Sequence, residues 1–162
     1  MAEVWLDKEG VAGSEWLITR RHQNYRDAHI NTIAWWEQPA QKQAYDYIRL
    51  CANKYELKDA LHGLYVLLAE PAYANGYYLW GNGADFDLAI LWHALDDARL
   101  QLPNWNYSRA RCLRTLRAMY PQVSKPAFKG IEHTAMADAC NEAQHLQAIY
   151  NYATLEHRAK QA

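Results

Sequence analysis

Tyr77-Tyr78-Leu79-Trp80-Gly81-Asn82-Gly83-Ala84-Asp85-Phe86-Asp87 runs from an apolar, β-prone segment through two glycines into an acidic helix start. Aromatic side chains favour a half-buried pleated surface, so Tyr77 to Trp80 predicts a buried strand. The glycines permit a tight turn. Phe86 to Arg99 is strongly apolar and predicts a helix. A strand turning into a helix is the repeating unit of α/β folds, which place ligands at the carboxyl ends of strands, where Asp87 would project. Taken alone, Asp85 and Asp87 also have a plainer reading, as acids favoured at a helix N-terminus by its dipole.

Outward from this unit, Val4-Trp5-Leu6 and Trp16-Leu17-Ile18 predict a hairpin across the turn-rich Asp7-Lys8-Glu9-Gly10 and Gly13-Ser14. Asn31 to Trp36 predicts a helix capped by Asn31 or Asp27. Pro39 opens a second helix to about Ala52, and Leu57 to Ala69 forms a third, stopped by Glu70-Pro71. Downstream, Trp105-Asn106-Tyr107 predicts a short strand, and Arg109 to Tyr120 a basic helix. The last helix spans Thr134 to Arg158, with Met136, Ala139, Ala143, Leu146, Ile149 and Ala153 on its buried side. No repeat or linker divides the chain, so one α/β domain over residues 1–162 is expected.

The 162 residues carry a net charge of −1, with 51% apolar residues. Near-neutrality excludes a globally basic nucleic-acid coat and an acidic tail; a polyanion site has to be a local patch. No apolar run approaches the roughly 18 residues of a membrane span, and the start lacks the pattern of a signal peptide. Cys51, Cys112 and Cys140 are widely spaced and form no CxxC pair, which predicts a reduced, cytoplasmic protein. The histidines other than His133 lack zinc-like spacing with any cysteine.

A second acidic cluster is Glu132-His133-Thr134-Ala135-Met136-Ala137-Asp138-Ala139. His133 precedes or opens a helix, and Asp138 shares a side with Asn141, Glu142 and His145. Ala135, Ala137 and Ala139 allow another element to come close. A buried Asp there needs a partner, and a cation is one candidate. The plainer reading is an exposed Asp and a solvent-facing His.

Together, the glycine-rich Asp87 segment and the His133-x(4)-Asp138 spacing resemble the second and third motifs of the DEDDh 3′-5′ exonucleases. The Trp-Gly-Asn-Gly form resembles their phage-type exodeoxyribonuclease VIII-like branch, as do Thr32-Ile33-Ala34-Trp35-Trp36-Glu37-Gln38 and Arg111-Cys112-Leu113-Arg114-Thr115-Leu116. The resemblance implies an RNase H-like fold, with a mixed sheet flanked by helices and two divalent cations, Mg²⁺ or Mn²⁺. It implies Asp87 and Asp138 as metal ligands and His133 as the general base that takes a proton from the attacking water. The substrate it implies is the single-stranded 3′ end of DNA or RNA.

The family's first motif, an Asp-x-Glu on the central strand, is expected to be missing. Asp7-Lys8-Glu9 has the composition of a hairpin turn, and one strand too few lies between Glu9 and Trp35. With two carboxylates instead of four, the second cation should bind poorly, which predicts a weak or inactive nuclease. The rival reading is a non-catalytic nucleic-acid-binding or interaction protein on the same fold. Loss of the central strand would also leave sheet edges open to association, so an oligomer is compatible. Arg111 and Arg114, with Lys129 in the following loop, are the candidate phosphate-binding residues; Arg109, Arg117 and Lys125 add to the basic character. The plainer reading of these cations is a solvated face.

Overall fold

A computed structural model of the chain describes residues 4–6, 12–14, 18, 29–51 and 54–159. The chain divides into two units, one of residues 1–60 and 128–140, the other of residues 61–127 and 141–162. The described residues hold six α-helices and two two-stranded sheets, one antiparallel and one parallel. The fold is mixed α/β.

In the first unit, β1 (Val4–Leu6) pairs antiparallel with β2 (Ala12–Ser14), Val4 opposite Ser14 and Leu6 opposite Ala12. The hairpin is therefore present, but its second strand is Ala12–Ser14 and not Trp16 to Ile18. A short connection brings the first residues beyond it into register, and this outweighs the stronger β-propensity of the later run. Ile18 instead makes a parallel bridge with Tyr55. Trp16, Leu17 and Asp7-Lys8-Glu9 lie outside the described residues. Helix α1 is Ile30–Trp36, with His29 at its N-cap and no side-chain cap bond. Asn31 is thus inside the helix rather than capping it, and Asp27 lies outside the described residues. Helix α2 is Lys42–Leu50 and buries Ala44. Pro39 sits in the turn before it, where its carbonyl accepts the Lys42 N–H at 3.4 Å, so the helix starts later than expected.

Helix α3 spans Leu57–Leu68 and ends just before a single 3₁₀ turn at Pro71–Tyr73, as the proline requires. In the second unit, β3 (Leu79–Gly81) lies parallel to β4 (Ala110–Cys112), with Leu79, Trp80 and Gly81 opposite Ala110, Arg111 and Cys112. Parallel strands need a long crossover, and α4 (Asp87–Asp97) lies within it, burying Leu88, Ala94 and Leu95. Two expectations are corrected here. Trp105 to Tyr107 is not a strand, because Asn106 Oδ1 accepts the Ser108 N–H at 2.9 Å and turns the chain into a 3₁₀ turn at Tyr107–Arg109. Arg109 to Tyr120 is not one helix, because Ala110–Cys112 is drawn into the parallel pair and α5 begins only at Leu113, ending at Met119.

Helix α6 runs Ala135–Ala159 and buries Asn141, His145 and Ile149, a line of residues four apart. Of the side expected to be buried, only Ile149 is; Ala139 is exposed and Met136, Ala143, Leu146 and Ala153 are half-buried. Helix spacing locates a face, but polar side chains occupy it here. His145 Nε2 lies 3.2 Å from the Val123 carbonyl oxygen, which ties the proline-containing loop to the helix.

Candidate active site

The acidic turn of the second unit is built on close approach. A Cβ at Gly81 would stand 2.9 Å from Asp87 Oδ2, so only glycine fits without displacing the carboxylate. The Gly83 N–H donates to Asp87 Oδ2 at 3.1 Å, while the Gly83 carbonyl accepts the Phe86 and Asp87 N–H groups at 2.9 and 3.0 Å. Asp87 is exposed at the first position of α4. Asp85 Oδ1 and the Arg114 guanidinium both crowd Gly83, at 3.0 and 3.4 Å from where its Cβ would be.

Helix α5 grips the same turn from the other strand. Asn82 O accepts the Arg114 N–H at 3.0 Å, and Asn82 Oδ1 accepts from the Arg117 guanidinium. The Cys112 thiol lies 3.6 Å from Asn82 O. Hydrogen bonds from the Thr115 side chain and the Ala84 backbone lower the Cys112 pKa to about 7. Arg117 and Asn82 form the contact that sequence reading did not single out; the signal was a lone Asn between two glycines, which has no meaning until α5 is placed beside it.

The basic residues divide by occupation. Arg111 is on β4, not on a helix face with Arg114 and Arg117. It donates both Nη1 hydrogens to the Ser108 and Ala110 carbonyls, at 2.7 and 2.8 Å, and its guanidinium lies 4.3 Å from the centre of the exposed Tyr78 ring. Among the described residues, no further hydrogen bond of its guanidinium is seen. Arg109 donates to the Asn75 carbonyl at 3.1 Å and rests on Gly76. Arg114 is exposed beside the acidic turn.

In the first unit, His133 adopts φ +66°, a left-handed conformation that L residues rarely take. This turn aims the His133 N–H at Asp138 Oδ1, 3.2 Å away. Thr134 is buried and its hydroxyl donates to the Ile131 carbonyl at 2.8 Å, closing the turn. Gly130, at φ +104°, approaches so closely that a Cβ would meet Ala137 Cβ at 2.8 Å. The small residues on this part of α6 thus do admit a close neighbour. The His133 ring sits edge-on to Trp35 and Trp36, with centroids 5.0 and 6.4 Å apart, and Trp36 stacks on Tyr45. Lys129 is exposed in the loop before this turn.

Each unit therefore offers one carboxylate with one oxygen held by a backbone N–H. Among the described residues, no hydrogen bond reaches the other oxygen of either, and no group of three or more His, Cys, Asp or Glu gathers to hold a metal ion. No helix among the described residues is long and apolar enough to cross a membrane.

A family model described as the 3′-5′ exoribonuclease Rv2179c-like domain matches residues 3–150. No curated protein and no solved structure matches significantly.

Proposed function

Because the chain belongs to the Rv2179c-like 3′-5′ exoribonuclease domain family, we propose that it is a divalent-metal-dependent 3′-5′ exonuclease of the DEDDh type, of the phage exodeoxyribonuclease VIII-like branch, acting in the cytoplasm on single-stranded 3′ ends. Asp87 and Asp138 would hold Mg²⁺ or Mn²⁺. The fit rests on donor chemistry: both are hard carboxylate oxygens, as these cations require, and each has one oxygen outside its backbone hydrogen bond. When bound, such ions stabilise the attacking and leaving oxygens of an in-line phosphodiester displacement.

The chain's own residues do the remainder. Gly83 N–H and the His133 N–H orient the two carboxylates before any ligand arrives. The His133 imidazole accepts the proton of the attacking water, and Trp35 and Trp36 fix its ring, so little reorganisation accompanies proton transfer. Arg111, Arg114 and Lys129 bind phosphates and offset the repulsion between a polyanion and an acidic site. The observation that carries this reading is the backbone orientation of a lone carboxylate at both helix starts.

Only two carboxylates are assigned, so activity should be weak and should need high metal concentrations. The absence of a three-residue ligand group among the described residues favours the second reading, a nucleic-acid-binding protein without chemistry. Degradation of 5′-labelled single-stranded RNA and DNA with Mg²⁺ or Mn²⁺ tests both. Shortening from the 3′ end that disappears with a chelator supports the enzyme; salt-dependent binding without shortening supports the alternative.

A further inference from the structure

A cavity of about 680 Å³ opens between the C-terminal half of α4 and the connection that leads to β4. Trp92, His93 and Asp96 line it from the helix, and Gln101, Trp105 and Tyr107 from the connection. Its aromatic wall is already assembled. The Trp92 and Trp105 rings lie 4.8 Å apart at a 44° tilt, and Trp105 stacks on the buried Tyr77 at 6.0 Å. The Tyr77 hydroxyl donates to the Pro103 carbonyl at 2.8 Å, which anchors the connection. Tyr107, by contrast, keeps 86% of its surface in solvent although it borders the cavity.

Charge narrows what such a space can take. Among the described residues no Lys or Arg lines it, and the one carboxylate in the lining is that of the exposed Asp96. That carboxylate disfavours a phosphate and favours a cation. A hard metal ion is not the match, because one carboxylate among rings supplies too few oxygen ligands. Aromatic faces carry negative potential and suit a large, weakly hydrated organic cation.

We propose that this cavity binds an organic cation, an alkylammonium or guanidinium group, against the rings of Trp92, Trp105 and Tyr107, with the Asp96 carboxylate as its counter-charge. The site is separate from the nuclease reading and does not depend on it. Asp96 follows Asp87 by nine residues on α4, so the two stand on opposite faces, about 14 Å apart along the axis. The same chemistry comes from a free polyamine or from the side chain of a basic peptide.

Titrating the full chain with spermidine, with acetyl-arginine amide and with acetyl-glutamate amide, by calorimetry and tryptophan fluorescence, tests this. Saturable binding of at least one of the two cations is expected, with quenched fluorescence, and none of the acidic control. The tighter cation identifies the source as free amine or side-chain guanidinium. Asp96→Asn should weaken binding about 10-fold and Tyr107→Ala about 5-fold. Both positions are exposed, and unchanged circular dichroism confirms that the variants fold. The proposal is overturned if neither cation saturates below about 10 mM, if Asp96→Asn binds as the wild type does, or if the acidic control binds as tightly as the cations.

Discussion

The turn before Asp87 and the turn before Asp138 solve one problem by opposite means. Both present a carboxylate near a helix start and hold one of its oxygens with a backbone N–H, at 3.1 Å from Gly83 and 3.2 Å from His133. The first does so with glycines, of which Gly81 leaves the space that the Asp87 carboxylate occupies. The second places a histidine in the left-handed region and lets the buried Thr134 close the turn. The first turn needs only the room its glycines leave, since neither Gly81 nor Gly83 is at positive φ, whereas a non-glycine residue at positive φ costs about 1–2 kcal/mol. Such strain persists only where the surroundings impose it, and here the residue that bears it is also the proposed base.

If the two carboxylates are equivalent in function, Asp87→Asn and Asp138→Asn should each lower 3′-5′ degradation about 100-fold or more, since each removes a charge that would hold the divalent cation. A variant that retains wild-type rates would break the symmetry and remove that residue from the site. His133→Asn sharpens the contrast within one turn. Asparagine tolerates the left-handed region, so urea unfolding should change by no more than about 1 kcal/mol, while the rate falls about 100-fold with the lost base.

The glycines should fail differently. Gly130→Ala meets both a positive φ and the Ala137 methyl, and should destabilise the protein by about 2–3 kcal/mol in urea melts. Gly81→Ala meets Oδ2 and Cβ of Asp87, at 2.9 and 3.0 Å, and the Gly83 carbonyl oxygen at 3.3 Å, but no positive φ. It should lower stability by about 1 kcal/mol, less than Gly130→Ala, and also raise the Mg²⁺ concentration needed for half-maximal degradation. Equal losses of stability would contradict the distinction.

The smallest effect belongs to Cys112, beside the glycine turn. Its folded pKa is lowered to about 7, so the thiolate is favoured in the fold and that preference is lost as pH falls through 7. Alkylation by iodoacetamide should level off above about pH 7 and fall about tenfold per pH unit below it, with Cys112→Ser as the blank. An inflection near pH 9 would show that the Thr115 and Ala84 hydrogen bonds do not form in solution.

Which parts were legible follows from how local their causes are. The glycine turn, the Asp87 helix start, the stop at Pro71 and the His133-x(4)-Asp138 spacing are short-range and readable residue by residue. Ala110–Cys112 was misread as helix because its strand state comes only from pairing with Leu79–Gly81, about 30 positions away. The buried side of α6 was misread for a similar reason. Asn141 and His145 are polar by type and become interior only because of what packs on them, the Val123 carbonyl in the case of His145.

By itself, the chain's order of residues determined the α/β class, the two acidic helix starts and membership of a 3′-5′ exonuclease family, because backbone sterics and hydrophobic spacing act over a few neighbours. Tertiary structure alone decided that Arg117 holds Asn82, that Arg111 lies over Tyr78, that Trp35 and Trp36 frame His133, and that rings and one carboxylate enclose a cavity along α4. Hydrogen bonds and ring contacts form between residues that meet only after folding, and no periodicity along the chain encodes such meetings.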